Sequence, residues 1–143
     1  MYYYTELDKM QYSTDSVESL KDLASIAVGY FKPGFVLFLE GPVGIGKSEF
    51  VKEMLNILGI KYAGSPTFGL INHYKTDLGY DIVHVDLYRD RNILDHLIEY
   101  DNAVFLIEWP SLSDDVVRTF PNAIRVVFSY NKDNRSCKWI GHA

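Results

Sequence analysis

The chain has 143 residues, of which 48% are hydrophobic, and its 14 basic against 19 acidic residues give a formal net charge of −5. This length predicts a single domain, residues 1–143, and the acidic balance argues against broad, nonspecific nucleic-acid binding, which needs many basic side chains opposite phosphates. No apolar run is long enough to span a bilayer, and no basic segment leads into an apolar one at the N-terminus, so we expect a cytoplasmic protein without membrane contact.

The first predicted helix begins at residues 15–18, with Asp15 as the N-cap and Glu18 able to reach back to it. Pro33 and Gly34 end this helix. Its predicted apolar face contains Val17, Leu20, Ala24, Ala27, Val28 and Phe31. The unbroken apolar run at 35–39 that follows is typical of a strand buried on both faces.

That strand leads into a segment that fits G-x-x-x-x-G-K-[ST] without a mismatch, which is the phosphate-binding P-loop. Apolar residues then recur at helical spacing over 50–58, so the motif has the strand and the helix that it requires. The glycines let successive N–H groups point at phosphate oxygens, Lys47 can reach the β- and γ-phosphates, and the Ser48 hydroxyl can ligate Mg²⁺. The predicted nucleotide-binding residues are Gly41, Pro42, Val43, Gly44, Ile45, Gly46, Lys47, Ser48 and Glu49.

Two segments follow that a nucleotide site could use. The loop at 63–69 contains Ser65, Pro66 and Thr67, and it predicts either a sensor of the γ-phosphate or an ordinary turn. Residues 70–74 and 81–87 predict a β-hairpin, and Asp86 lies near its carboxyl end, where open α/β sheets bind ligands. Asp86 is a candidate for orienting a water, accepting its proton or helping to hold the metal, and a solvated turn residue is the alternative. His84 is interpreted as a sheet histidine rather than a catalytic one.

The last candidate acid ends another buried strand. A short amphipathic helix is predicted at 92–100, and the apolar run at 103–107 then delivers Glu108 in the manner of a Walker B acid, which holds Mg²⁺ directly or through water. Trp109 either shapes a pocket or a partner surface, or packs against the core. A helix capped by Ser111 or Ser113 and two strands at 124–130 and 136–140 complete the prediction.

These elements predict an α/β protein with a P-loop NTPase fold. The expected sheet is mixed, with a largely parallel core, and it is flanked by helices and carries an antiparallel hairpin.

Four motifs, taken in order, resemble the TsaE or YjeE family, the small P-loop ATPase of bacterial tRNA threonylcarbamoyladenosine biosynthesis. They are the P-loop, residues 65–68, residues 84–89 and residues 107–110, and the likeness covers nearly the whole chain. It implies a protein that binds ATP and Mg²⁺, hydrolyses ATP weakly alone, and supports turnover of a complex. The implied partners are a TsaD-like transferase subunit and its noncatalytic TsaB-like paralogue, with tRNA reached only through the complex.

The resemblance also assigns roles to individual residues. It implies Ser48 and Glu108 as metal ligands, with Thr14 and Arg135 on the adenine side of the site. The residues that it implies in catalysis are Lys47, Thr67, Asp86, Glu108 and Trp109.

The chain departs from the family pattern inside its strongest motif. Pro42 stands where the family usually has an acid, and Ile45 where alanine is usual. Pro42 has no N–H but precedes the residues expected to donate to phosphate, so we expect nucleotide binding to survive and the hydrolysis rate to be affected.

Other functions are compatible with a P-loop. A non-hydrolysing, ATP-dependent adaptor and a small nucleoside or nucleotide kinase stay open as alternatives. A GTPase is disfavoured because residues 131–134 have asparagine where N-K-x-D needs its acid.

Overall fold

The computed structural model describes residues 11–64, 71–88 and 94–141. Its strands are β1 Gln11–Ser13, β2 Val36–Glu40, β3 Ile71–Tyr74, β4 Asp81–Asp86, β5 Ala103–Glu108, β6 Ile124–Asn131 and β7 Asn134–Ile140. Its helices are α1 Val17–Val28, α2 Lys47–Ile57, α3 Leu94–Leu97 and α4 Asp114–Thr119, with a 3-10 turn at Pro110–Leu112. Among these residues, no helix combines the length and apolarity needed to cross a membrane.

The strands form one seven-stranded sheet in the order β1-β7-β6-β2-β5-β4-β3. Its four central strands, β6, β2, β5 and β4, are parallel. The outer pairs β6–β7, β7–β1 and β4–β3 are antiparallel. The predicted mixed sheet with a parallel core is therefore confirmed, and so are the hairpins formed by β3 with β4 and by β6 with β7.

Alternation along the strands gives the sheet a buried core on each face. Leu37 and Leu39 of β2 belong to the cluster that contains the buried residues of α1 and α2. Val36 and Phe38 belong to the opposite cluster, with Leu97 of α3 and Val116 of α4. The parallel strands are thus covered on both faces, as their unbroken apolar sequences predict.

The predicted start of α1 is wrong by one residue. Ser16, not Asp15, is the N-cap, and it forms a capping box with Ser19 rather than with Glu18. The Asp15 carboxylate instead accepts a hydrogen bond from the backbone N–H of Arg135 at 2.6 Å. The side chain that was expected to cap the helix is therefore bound to β7. Val17 is 64% exposed and does not belong to the buried face of α1.

Two other helices are shorter than predicted. Helix α3 covers one turn, Leu94–Leu97, within the predicted 92–100, of which residues 92 and 93 lie outside the described ranges. Helix α4 begins after Ser113, whose side chain accepts the N–H of Val116, so the second of the two predicted caps is the one used.

The capping box of α1 yields a stability prediction. Replacing Ser16 with alanine leaves the N–H of Ser19 without its side-chain acceptor and should lower the free energy of unfolding by about 1 kcal/mol. Glu18→Gln, the matched control at the position predicted from sequence, should change it by less than about 0.5 kcal/mol. Urea unfolding of the two variants measures both values, and a larger loss for Glu18→Gln would contradict the observed cap.

Candidate nucleotide-binding site

The P-loop connects β2 to α2, and its backbone needs glycine at three positions. Gly41, Gly44 and Gly46 have φ angles of 147°, 81° and 120°, a region that residues with a Cβ rarely adopt. The loop then ends at the N-terminus of α2, whose first residue is Lys47. The first N–H groups of this 11-residue helix lack intrahelical partners and point out of its end, as a phosphate site requires.

Gly41 has a second, steric requirement. A Cβ at this position would lie 2.9 Å from both the Cβ and the carbonyl oxygen of Phe128, and 3.1 Å from Cγ2 of Ile45. Phe128 belongs to β6, so the P-loop rests directly on the neighbouring strand. Ile45 is 1% exposed and packs in the core behind the loop, which explains how a residue larger than alanine is accommodated here.

Lys47 is buried, and its ammonium group is held by the loop that it follows. Nζ donates to the carbonyl of Gly41 and, at 3.3 Å, to that of Pro42. It also lies 3.8 Å from the centroid of the Trp109 ring, in a cation–π contact. Burial lowers the pKa of Lys47, and the nearby carboxylates of Glu108 and Asp86 oppose that shift.

The two candidate acids lie side by side at the carboxyl ends of their strands. The parallel register pairs Asp86 of β4 with Glu108 of β5, and it pairs Glu108 with Leu39 of β2. The residues that follow Leu39 lead into the P-loop, so the sheet brings both carboxylates to Lys47. Glu108 is 3% exposed, whereas Asp86 is half-buried and accepts the N–H of Tyr88 at 3.0 Å.

His84 is a site residue that the sequence interpretation missed. Its ring is fully buried, and Nε2 lies 2.6 Å from Oε2 of Glu108. His84 faces Leu106 across the β4–β5 ladder, which makes Glu108 its diagonal neighbour on the same face of the sheet. The H-x-D spacing places His84 and Asp86 on one face, but the sequence does not give the register that adds Glu108.

Trp109 has a strained backbone at the end of β5. Its φ and ψ are 61° and 47°, in the left-handed region that a bulky residue rarely enters, and its N–H donates to Leu39 at 3.0 Å. The ring packs against Tyr88 with 5.3 Å between the two centroids. This backbone turn is what brings the ring over the ammonium group of Lys47.

These side chains line two adjoining cavities. The first, of about 380 Å³, is lined by Val43, Gly44, Gly46, Lys47, Ser48, Glu49, Asp86, Tyr88, Glu108, Trp109 and Arg135. The second, of about 310 Å³, is lined by Thr14, Asp15, Ser16, Val17, Leu20, Ile45, Gly46, Glu49, Glu53 and Arg135. Gly46, Glu49 and Arg135 border both, so together the cavities offer a polar end beside Lys47 and a second lobe beside Thr14.

Thr14 lies next to Arg135 in the fold. The two are far apart in the sequence, since Asp15, which follows Thr14, is 120 residues from Arg135. The N–H of Thr14 donates to the carbonyl of Arg135 at 3.1 Å, which joins the two residues through their backbones. The Thr14 hydroxyl is buried and has no hydrogen-bond partner among the described residues. Both residues line the second cavity.

The donors around the first cavity suit Mg²⁺. Ser48 and Glu108 offer oxygen atoms beside Lys47, with Asp86 adjacent. Within the described ranges, no group of three or more His, Cys, Asp or Glu residues forms a complete metal site. Mg²⁺ commonly takes only one or two protein ligands and completes its shell with phosphate oxygens and water, so this donor set fits it.

The structure brings together the P-loop, Asp86, Glu108 and Trp109 but leaves one candidate untested. Thr67, with Ser65 and Pro66, lies outside the described residues, as does Arg89 of the third motif. Val43 is 72% exposed at the mouth of the first cavity.

A family model described as "Threonylcarbamoyl adenosine biosynthesis protein TsaE" matches residues 14–137. The chain belongs to the TsaE family. The resemblance inferred from the four motifs is therefore confirmed, and the family's P-loop identifies a nucleotide-binding protein connected with threonylcarbamoyladenosine biosynthesis.

Individual TsaE proteins agree with this assignment. The tRNA threonylcarbamoyladenosine biosynthesis protein TsaE of Bacillus subtilis (strain 168) is 33% identical over 114 residues, which are 76% of this chain and 72% of that protein. That of Borreliella burgdorferi is 30% identical over 126 residues, 78% of this chain and 90% of its own length. The crystal structure of YdiB from Bacillus subtilis superimposes with a TM-score of 0.74 at 25% identity, covering 98% of this chain and 90% of that one.

The close contact of Gly41 with β6 predicts a specific weakness in this TsaE-family chain. Gly41→Ala should lower the free energy of unfolding by about 1–3 kcal/mol more than Gly44→Ala, because the backbone of Phe128 cannot move away from the new methyl group. Gly44 is the matched control, since its φ is also positive but a Cβ there would meet nothing within 4 Å. Urea unfolding of both variants gives the difference, and equal losses would show that backbone strain alone accounts for Gly41.

Proposed function

We propose that this chain is the ATP-binding and slowly hydrolysing subunit of the tRNA N6-threonylcarbamoyladenosine modification machinery, and that it supports turnover of the transferase complex. The observation that carries the proposal is the convergence of Lys47, Asp86 and Glu108 on one cavity at the end of the P-loop. A structural P-loop or a simple phosphate sensor has no need of two strand-end carboxylates beside its lysine.

The phosphates would bind in the first cavity. The N–H groups at the start of α2 and of the preceding loop would donate to phosphate oxygens. Lys47 would exchange the carbonyls of Gly41 and Pro42 for the β- and γ-phosphates, and would leave the ring of Trp109. An ammonium group that is already desolvated pairs with phosphate at a lower cost than one that must first leave water.

Hydrolysis needs a metal ion and an oriented water. Ser48 and Glu108 would hold Mg²⁺, which neutralises charge on the phosphate oxygens when it is bound. Asp86 would orient the attacking water or support the metal, because its half-buried carboxylate lies beside Glu108 at the open side of the cavity. In this proposal Thr67, which precedes β3 in the sequence, senses the γ-phosphate.

The second cavity supports adenine as the base. It lies on the far side of Gly46 and Arg135 from Lys47, which is the direction in which a nucleotide bound by its phosphates extends. Thr14 and Arg135, the two residues expected on the adenine side, both line this cavity.

Partner proteins would complete the cycle of ATP binding and hydrolysis. Val43 and Tyr88, 72% and 63% exposed, place apolar surface at the mouth of the phosphate cavity beside Trp109. We propose the TsaD-like transferase subunit and its TsaB-like paralogue as the partners, in the cytoplasm, with tRNA bound by the complex. The net charge of −5 supports this indirect contact with tRNA.

Hydrolysis by the purified protein tests the catalytic part of the proposal. We expect slow, Mg²⁺-dependent turnover of ATP that exceeds turnover of GTP, and Glu108→Ala should lower the ATP rate by at least about tenfold because it removes a metal ligand. Lys47→Ala should abolish ATP binding, whereas Glu99→Ala, at an exposed acid of the same charge, should change neither property. An undiminished rate in Glu108→Ala would contradict its assignment, and tight ATP binding without any turnover would favour the non-hydrolysing adaptor.

Capture of partners from the native cell extract tests the biological part. The tagged wild-type protein with ATP should recover the two tRNA-modifying subunits, identified by mass spectrometry, and Lys47→Ala bait should recover less of both. Recovery of neither subunit by the wild type would contradict the proposed assembly.

A further inference from the structure

The hydrogen bond between His84 and Glu108 defines which ring nitrogen carries the hydrogen. Nε2 lies 2.6 Å from Oε2, and a carboxylate oxygen can only accept a hydrogen bond, so Nε2 is the donor of this pair. Nδ1 is buried and has no partner among the described residues. A neutral ring with its hydrogen on Nε2 leaves only an unsatisfied acceptor there, whereas a hydrogen on Nδ1 would bury an unpaired donor.

The imidazole is itself held in place. It lies within the β4–β5 ladder opposite Leu106, and the Tyr62 ring covers it with 6.2 Å between centroids. His84 is fully buried, so the donor has little freedom to move. A rigid donor fixes the longer and more flexible side chain of Glu108.

The bond also determines which partner Glu108 takes. It occupies Oε2 and leaves Oε1 for the phosphate cavity, which Glu108 lines together with Lys47. The Glu108 carboxylate raises the pKa of Lys47 by electrostatic attraction, so the two groups are close enough to interact. Without the His84 donor, the Glu108 carboxylate would lose the partner that fixes its orientation, and Oε1 would no longer be held toward the metal position.

We propose that His84 is a positioning residue: its Nε2–H holds Oε2 of Glu108 so that Oε1 is presented to the metal of the metal–nucleotide complex. This inference rests on the proposed function and adds to it a residue that makes no contact with the nucleotide. It gives His84 and Asp86 of β4 different roles: Asp86 lines the cavity, and His84 fixes the acid of β5.

Two amide variants provide a matched test, because glutamine places an N–H near the position of Nε2, whereas the shorter asparagine places it near Nδ1. With ATP and Mg²⁺, measured by isothermal titration calorimetry, His84→Asn and His84→Leu should bind at least about tenfold more weakly than the wild type. His84→Gln should stay within about threefold of it. With ATP in EDTA, all four proteins should bind alike, since the effect acts through the metal ligand.

The outcomes separate this inference from the proposed function. If Mg²⁺ strengthens ATP binding to the wild type and to His84→Asn equally, the positioning role is wrong while the ATP site stands. If His84→Asn loses the same factor with Mg²⁺ and in EDTA, His84 is structural only, and the inference is overturned. If Mg²⁺ does not change the ATP affinity of the wild type, the proposed metal site is wrong, and the positioning inference is wrong with it.

Two further measurements test the inference independently: one uses a double variant, and the other uses the wild type without ATP or metal. In a Glu108→Gln background, His84→Asn should cause no further loss of affinity with Mg²⁺, and additive losses would contradict coupling through Glu108. In the metal-free wild type, long-range ¹H–¹⁵N spectra of the histidine rings should show the hydrogen of His84 on Nε2. A hydrogen on Nδ1 with none on Nε2 would overturn the proposal even if the His84 variants fail to fold.

Discussion

The parallel pairing of β2, β5 and β4 is the constraint on which the site depends. This register aligns Leu39, Glu108 and Asp86 at one edge of the sheet, where the P-loop leaves β2. Because side chains alternate between faces, a shift of one residue would turn the acids away from Lys47 and bury them on the opposite face. The apolar side chains on both faces therefore do more than stabilise the sheet, since they hold Asp86 and Glu108 in register with the P-loop.

The buried charges of the site compensate one another. Lys47 would be costly to bury alone, but two loop carbonyls, the Trp109 ring and the field of two carboxylates stabilise its ammonium group. Glu108 is satisfied in turn by His84. The protein thus keeps a desolvated cation and a fixed anion next to one cavity.

Pro42 departs from the family pattern, but its carbonyl still makes contacts within the P-loop. A proline inside a phosphate-binding loop removes one N–H, but the carbonyl of Pro42 still accepts from Lys47 and from the N–H of Ile45. Its contribution is therefore that of an acceptor, which proline retains. At the preceding position, Gly41 cannot be replaced by a residue with a side chain, because β6 occupies the space that the side chain would need.

The sequence by itself determined the P-loop, the strand and helix around it, the mixed sheet and the two acids, because local motifs and apolar periodicity encode these features. It also indicated the TsaE family through four motifs in order. It misplaced the cap of α1, since the contact that removes Asp15 from that role is with Arg135, far along the chain. Only the tertiary structure decided that His84 touches Glu108, that Trp109 covers Lys47 and that Thr14 adjoins Arg135. The physical reason is that strand register, backbone strain and long-range pairing bring these side chains together, and no local pattern carries that information.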